Sequence, residues 1–306
     1  MTLDIETLNS KFSIQQDDNQ LLITRGDGDI PVVTIQNKLA SARISLQGAH
    51  ILSWIPAGEA EVIWLSEDAV YKDGKSIRGG IPVCWPWFGA HESREDFPAH
   101  GFARTVMWDL LKTEALDDGR TRISLFIQKS QQMDSFWPEQ AEVFFQVTVG
   151  KKLELELDTC NKGSKAISIG QAFHTYFKVN DVSRVMLHGL DGAEYLDKLE
   201  GFKRKKQPGT VTINEEVDRV YLDTVNDCVI QDTELNRNIV IKKCGSHSTV
   251  VWNPWQQTAD KMGDLGTNGY KTMLCVESSN AADDVVVIEP GKQHQLYVDY
   301  EVIKAG

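Results

Sequence analysis

The sequence predicts an all-β protein built as a large antiparallel β-sandwich. Apolar and polar residues alternate with a period of two in several stretches, turn signals separate these stretches, and helical periodicity is scarce. Period-two alternation puts one face of a strand in a core and the other in water, and many short strands are typical of sandwiches. Because no linker or composition shift divides the chain, we expect a single domain over residues 1–306.

The strand candidates follow one another along the chain. Their apolar positions are Ile44, Leu46 and Ile51 around a break at Gly48, then Ile123, Leu125 and Ile127, then Leu153, Leu155 and Leu157, and finally Leu296, Val298, Tyr300 and Val302. Turn dipeptides between them are Asp73-Gly74, Asp118-Gly119, Gly150-Lys151, Lys162-Gly163, Pro208-Gly209 and Pro290-Gly291. A short window at 130–137 is weakly helical. The basic run GFKRKKQPG at 201–209 is predicted to be a solvated loop, since a nucleic-acid patch needs more charge and interleaved aromatic residues.

Composition narrows the class of protein. The 306 residues carry a net charge of −12. Because binding to a polyanion needs a positively charged surface, we expect no nucleic-acid partner. Five cysteines, never spaced C-x-x-C, fit a reducing compartment. The first twenty residues are polar and lack an apolar signal segment, and no stretch approaches the ~20 apolar residues of a membrane span. We therefore expect a cytoplasmic protein without membrane contact.

Five segments carry residues suited to chemistry. They contain Arg78, the pair His100 and Arg104, His174, Asp218 and Glu277. A histidine within an apolar strand is more often structural than catalytic, and a turn or a solvated carboxylate explains most of the others in isolation. A buried glutamate beside a histidine would nevertheless suit proton transfer near neutral pH.

The tryptophans have two interpretations. Trp85 and Trp87 lie in a stiff loop rich in glycine and proline, where flat side chains either fill the core or stack on a sugar ring. Trp252 and Trp255 are interpreted as structural. No H-E-x-x-H pair, phosphate-binding G-x-x-x-x-G-K-[ST] loop or G-x-S-x-G elbow occurs, so we expect neither a metal nor a cofactor.

Six motifs together, in this order, resemble the glucose-6-phosphate 1-epimerases of the aldose 1-epimerase superfamily. They are IRGGIPVCWPWFG (77–89), PAHGFAR (98–104), FHTYF (173–177), VDRVY (217–221), VVWNPW (250–255) and GYKTMLCVE (269–277). The first forty residues carry no family motif. The resemblance implies a galactose-mutarotase-like sandwich with its pocket on the concave face, and a monomer.

The resemblance also implies a cofactor-free reaction that interconverts the α and β anomers of a hexose 6-phosphate. His174 would protonate the ring oxygen, and Glu277 would take the proton of the C1 hydroxyl. Such ring opening needs an acid and a base on either side of the anomeric carbon. We expect the two to form a charge pair, because proximity favours an imidazolium beside a carboxylate.

Four further residues match binding positions of the family. Arg78 and Arg104 would hold the phosphate, which guanidinium groups bind with two parallel hydrogen bonds. Asp218 would bind sugar hydroxyls, and His100 would line the site. The sequence leaves open whether His100 or His174 lies nearer the ring oxygen. Two other functions stay open as well, an epimerase for unphosphorylated sugars and a non-catalytic sugar-phosphate binding protein.

Overall fold

A computed structural model describes residues 4–128 and 130–305. In this part of the chain the helices are short: α1 (Ile5–Phe12), α2 (Gln131–Phe136) and α3 (Trp255–Met262). None of the helices in these two ranges has the length and hydrophobicity needed to cross a bilayer.

The strands dominate the fold. In chain order they are β1 (Ile14–Gln16), β2 (Asn19–Arg25), β3 (Pro31–Asn37), β4 (Ala40–Ser45), β5 (His50–Pro56), β6 (Val83–Cys84), β7 (Asp109–Ala115), β8 (Thr121–Phe126), β9 (Ala141–Val149), β10 (Lys152–Asn161), β11 (Ile167–Ile169), β12 (Gln171–Phe173), β13 (Tyr176–Lys178), β14 (Met186–His188), β15 (Glu194–Asp197), β16 (Lys203–Lys206), β17 (Val217–Tyr221), β18 (Cys228–Asp232), β19 (Arg237–Cys244), β20 (Ser248–Asn253), β21 (Met273–Asn280), β22 (Val286–Ile288) and β23 (Gln293–Lys304).

Two eight-stranded antiparallel sheets form the body of the molecule. We call one the back sheet, with strand order β14-β18-β19-β23-β10-β9-β8-β7. The other is the site sheet, with strand order β16-β15-β17-β20-β21-β12-β6 and with β13 paired to β21. The strands β1 to β5 form a five-stranded sheet in sequence order, and β11 pairs with β22.

The two large sheets pack face to face around one apolar core. Phe145 of the back sheet lies 5.4 Å, between ring centroids, from Phe173 of the site sheet. Phe177 of the site sheet meets Tyr300 of the back sheet edge-on at 5.1 Å. Leu155 in β10 is fully buried between them. The predicted all-β antiparallel sandwich is confirmed.

Local patterns explain individual elements. The burial of β10 alternates strictly, and its Leu155 is in register with Val298 of β23, as period-two alternation predicts. The weakly helical window is α2, whose N-cap Ser130 accepts a hydrogen bond from the Met133 N–H at 3.3 Å. The basic run at 201–209 is solvated but is not simply a loop. Residues 203–206 form the edge strand β16, because they pair with β15 in register.

Residues 4–39 add structure ahead of the family motifs. They form α1 and the strands β1 to β3. Asn9 fastens the helix to β2, since its side chain donates to the Ile23 carbonyl at 2.7 Å and accepts from the Ile23 N–H at 2.8 Å.

Candidate active site

The candidate site lies on the face of the site sheet that points away from the core. In β21, Leu274 and Val276 pack into the core between the sheets. Because side chains alternate along a strand, Cys275 and Glu277 point to the opposite face. Glu277 is nevertheless only 1% exposed, since it forms the floor of a cleft walled by surrounding loops.

His174 stands beside Glu277 at the break between β12 and β13. Phe173 is in register with Ser278 of β21, so the next residue of the chain is held next to Glu277. The His174 N–H donates to the Pro82 carbonyl at 3.0 Å, which fixes the break. Nε2 of His174 lies 3.5 Å from Oε1 of Glu277.

Tyr176 links this histidine to an arginine. Its ring stacks on that of His174 with centroids 4.9 Å apart and an angle of 11° between the planes. Its hydroxyl accepts a hydrogen bond from Nη1 of Arg78 at 3.1 Å. Trp252 stands edge-on to both His174 and Tyr176, at 6.0 and 5.9 Å.

Arg78 is oriented by its loop and by a carboxylate. Its Nε donates to Oδ1 of Asp264 at 3.0 Å. The loop passes tightly through Gly79 and Gly80, both at positive φ (93° and 70°). A Cβ at Gly79 would lie 2.7 Å from the Trp64 carbonyl oxygen, so a side chain there would displace the loop that carries Arg78.

His100 and Arg104 come from a second loop. Nδ1 of His100 accepts from the Gly89 N–H at 3.3 Å, so the neutral ring carries its proton on Nε2. The rings of His100 and His174 are 5.6 Å apart. Arg104 donates from Nη2 to the Ala99 carbonyl at 2.8 Å.

Asp218 and Lys198 form the opposite wall of the cleft. Asp218 in β17 is in register with Trp252 of β20, which in turn is in register with Cys275 of β21. Lys198, the first residue of a 3₁₀ turn after β15, places its Nζ 2.7 Å from Oδ2 of Asp218. Both side chains are partly exposed to the cleft, 28% for the lysine and 18% for the aspartate.

These side chains surround a cleft of about 340 Å³, which is within the usual size for small-molecule sites. All six residues singled out in the sequence line it, namely Arg78, His100, Arg104, His174, Asp218 and Glu277. Their location together is an observation, whereas their individual roles stay predictions.

Sequence reasoning did not assign every residue of the cleft. Tyr176, Lys198 and Trp252 line it as well. Tyr176 could have been found, since it lies two residues after His174 in an extended segment and therefore on the same face. Lys198 belongs to no motif, and only the chain path after β15 brings it to Asp218.

The structure also bears on the interpretations of the tryptophans. Trp252, interpreted as structural, borders the cleft. Trp85 is fully buried and donates from Nε1 to Oγ1 of Thr159 at 3.1 Å, so it belongs to the core. Trp87 donates to the Pro98 carbonyl at 3.0 Å and is likewise absent from the cleft lining.

Burial shifts the pKa values of His174 and Glu277 in opposite directions. It lowers the pKa of His174 well below the ordinary histidine value, and the positive charges of Arg104 and Arg78 act in the same direction. It raises the pKa of Glu277 well above the ordinary glutamate value. Burial thus acts against the charged form of both side chains, and against the charge pair that proximity favours. That charge pair stays a prediction.

Four buried polar atoms of the cleft lack a hydrogen-bond partner in the described part of the chain. They are Nε of Arg104, Nδ1 of His174, Oδ1 of Asp218 and Oε2 of Glu277. Leaving a buried polar atom unpaired costs about 1–3 kcal/mol, so a fold seldom gathers several in one place without a ligand. The four atoms are one cationic donor, one imidazole nitrogen and two carboxyl oxygens, a set suited to a polar, hydroxylated anion.

Two residues of the cleft and a buried cysteine next to them have metal-ligand chemistry. His174, Cys275 and Glu277 offer donor atoms within 4.8 Å of one another. Burial raises the pKa of the Cys275 thiol well above its ordinary value, and a metal ion would have to displace that proton.

Comparisons with known proteins agree with the geometry. A family model described as aldose 1-epimerase matches residues 31–301. A protein of Escherichia coli (strain K12), named provisionally as a glucose-6-phosphate 1-epimerase, is 36% identical over 267 residues, covering 87% of this chain and 88% of that protein. A protein of Salmonella typhimurium (strain LT2) with the same provisional name is 37% identical over 251 residues, covering 82% of this chain and 83% of that protein.

Solved structures resemble the fold closely. A Salmonella typhimurium protein, provisionally described as a mutarotase, superposes with a TM-score of 0.86 at 33% identity, over 98% of this chain and 99% of that one. A galactose mutarotase-like protein of Clostridium acetobutylicum superposes with a TM-score of 0.73 at 13% identity, over 94% of this chain and 100% of that one. The second likeness concerns the fold alone.

Proposed function

Because this chain belongs to the aldose 1-epimerase family, we propose that it interconverts the α and β anomers of hexose 6-phosphates, chiefly glucose 6-phosphate. The observation that carries the proposal is the contact of His174 with Glu277 on the floor of a cleft bordered by two arginines.

In the proposed reaction the catalytic pair moves two protons. Glu277 takes the proton of the C1 hydroxyl, the oxygen forms the C1 carbonyl, the bond from C1 to the ring oxygen breaks, and the ring oxygen receives the proton of His174. Rotation about the C1–C2 bond and closure on the other face reverse both transfers. Each positioned group contributes typically 10²–10⁴-fold, so the pair could supply ~10⁴–10⁸-fold.

The order of residues across the site sheet supports these roles. Arg78 bonds to Tyr176, which stacks on His174, whereas Asp218 lies beyond β20 on the Glu277 side. The segment just before Arg104 forms a β-bridge with Trp85, the residue that follows β6. Because β6 pairs with β12, Arg104 also lies on the His174 side of the site sheet. In a hexose 6-phosphate the phosphate lies on the ring-oxygen side of C1. A phosphate on the arginines thus brings the ring oxygen to His174 rather than to Asp218.

Substrate charge supports the protonation state that turnover needs. Turnover needs a protonated His174, and burial, His100, Arg104 and Arg78 all lower its pKa in the free protein. A dianionic phosphate bound to both arginines offsets their charge and so favours the imidazolium. Lys198 and Arg104 lower the pKa of Glu277 against the effect of burial and favour its carboxylate.

Two other functions are less well supported. An epimerase for free sugars would have no use for two guanidinium groups beside the cleft, and those of Arg78 and Arg104 both line it. A sugar-phosphate binding protein needs no acid–base pair, and His174 with Glu277 provides one.

The proposal extends to the setting of the protein. A reducing, cytoplasmic location fits the five cysteines, all of them free thiols. A net charge of −12 fits a small-molecule substrate better than a nucleic acid. We keep the monomer, the single domain over 1–306 and a reaction without metal or cofactor as parts of this proposal.

Exchange spectroscopy tests the function. NMR measures the α–β exchange rate of equilibrated glucose 6-phosphate with and without the protein, and glucose serves as the control sugar. We expect exchange of glucose 6-phosphate to accelerate in proportion to protein concentration, with a much smaller effect on glucose. Acceleration of glucose alone would favour the free-sugar epimerase, and no acceleration of either sugar would favour a binding protein.

A further inference from the structure

The cleft contains a third cation that the proposed mechanism does not use. Lys198 lies 2.7 Å from Asp218 and is half-buried at the cleft wall. A lysine ammonium has three donors, and the ion pair with Asp218 uses one of them. The other carboxylate oxygen of Asp218 is buried without a partner. The pair therefore offers both donors and an acceptor to a ligand in the cleft.

Strand order separates this pair from the arginines. Asp218 lies in β17, Glu277 in β21, and His174 just after β12, with β20 between the first two. Arg78 lies in the segment that runs along the far side of His174, since the following Gly80 carbonyl accepts from the Tyr176 N–H at 3.0 Å. The lysine and this arginine thus stand on opposite sides of the acid–base pair.

The geometry of the sugar ring indicates which hydroxyl groups would lie near Lys198 and Asp218. In a pyranose, C1 is bonded to the ring oxygen on one side and to C2 on the other. When the phosphate lies on the arginines and the C1 hydroxyl on Glu277, the C2 and C3 hydroxyls point toward Lys198 and Asp218. This step rests on the proposed function.

We infer that Lys198 is a specificity-determining residue that donates a hydrogen bond to the 2-hydroxyl of the hexose 6-phosphate, while Asp218 accepts from its neighbour. Lys198 then sets the preference at C2, where glucose and mannose 6-phosphates differ. A lysine that merely added to the phosphate site would belong on the other side of His174. The lysine also favours the carboxylate form of Glu277, which agrees with its place on the base side of the cleft.

The test removes the lysine and the substrate hydroxyl separately and together. Exchange spectroscopy gives kcat/KM for glucose 6-phosphate, mannose 6-phosphate and 2-deoxyglucose 6-phosphate with the wild-type protein and with Lys198→Met. Lys198→Leu, which also lacks a hydrogen-bond donor, provides the same comparison if the methionine variant does not fold. Lys203→Met is the matched control, because Lys203 is exposed, lies in β16 and, among the described residues, forms an ion pair only with Glu200 at 3.7 Å.

We expect Lys198→Met to lower kcat/KM for glucose 6-phosphate by about tenfold to a hundredfold, the usual size of a charge-assisted hydrogen bond. The loss for 2-deoxyglucose 6-phosphate should be several times smaller, and the preference between glucose and mannose 6-phosphates should shrink. Lys203→Met should change none of these values.

Equal losses on the glucose and 2-deoxyglucose substrates would overturn the inference, as would an unchanged glucose-to-mannose preference. Those outcomes differ from a failure of the proposed function, which would appear as an absence of accelerated exchange with the wild-type protein itself.

Discussion

The ring of Tyr176 lies nearly parallel to that of His174, 4.9 Å away, while its hydroxyl accepts a hydrogen bond from Arg78. One side chain thus contacts both the proposed acid and a proposed phosphate ligand. The hydroxyl can be removed with or without the ring, so the contribution of each contact can be measured.

Tyr176→Phe keeps the stacked ring and removes the hydroxyl. Arg78 then loses one of its two partners and keeps Asp264. We expect KM for glucose 6-phosphate to rise about twofold to tenfold with little change in kcat, the size of one net hydrogen bond. Tyr176→Leu also removes the stack, and kcat should then fall by about tenfold as His174 loses its orientation. Identical kinetics for the two variants would contradict this division of roles.

His174→Ala and Glu277→Gln each remove one member of the acid–base pair. Either change should lower the catalysed exchange rate by at least about 10²-fold, because both proton transfers are needed in each direction. Binding of glucose 6-phosphate, measured by calorimetry, should stay within a few-fold of wild type, since the arginines remain. Full exchange activity in either variant would remove that residue from the mechanism.

Arg104→Ala removes a proposed phosphate ligand. We expect KM for glucose 6-phosphate to rise about tenfold to a hundredfold, and KM for glucose, if it reacts, to change little. Arg94→Ala is the control, because Arg94 is exposed and paired with Asp96 at 2.7 Å. Equal effects of Arg104→Ala on the two sugars would argue against a phosphate role.

His50 supports the loop of Arg78 and makes stability depend on pH. Its Nε2 lies 2.8 Å from the Gly79 carbonyl, to which it donates, and its Nδ1 is buried without a partner. Burial lowers its pKa to about 4. The unfolded chain, with an ordinary pKa of about 6.5, binds the proton first as pH falls. The contribution of neutral His50 to the stability of the folded protein is therefore complete above about pH 6.5 and is lost as pH falls toward 4.

Urea unfolding of wild type and His50→Gln at about pH 7.5 and about pH 5 measures this effect. Between these values the wild-type free energy of unfolding should fall by about 2 kcal/mol more than that of the variant. The glutamine of the variant can still donate to the Gly79 carbonyl. For each protein, the quantity compared is the change in the free energy of unfolding between the two pH values. The same pH dependence in both proteins would show that His50 becomes protonated without cost in the folded state.

Much of the fold follows from local pattern. Strict alternation at Leu153, Leu155 and Leu157 predicts a half-buried strand, and β10 is one. The scarcity of helical periodicity predicts an all-β protein. The basic run at 201–209 does not reveal its edge strand, because charge predicts only exposure and a loop is exposed as well. Its pairing with β15 depends on a neighbour that sequence pattern does not reveal.

Strand periods and motif residues were enough to predict the sandwich class and the six residues that line the candidate site, because both are properties of consecutive positions. Only the tertiary structure brought Lys198 to Asp218 and Trp252 to the cleft wall, since those contacts join strands distant in the chain. It also decided which histidine stands beside Glu277 and in which direction burial shifts the pKa of each. Both depend on strand register and on the depth of burial, and neither is encoded in any short stretch of residues.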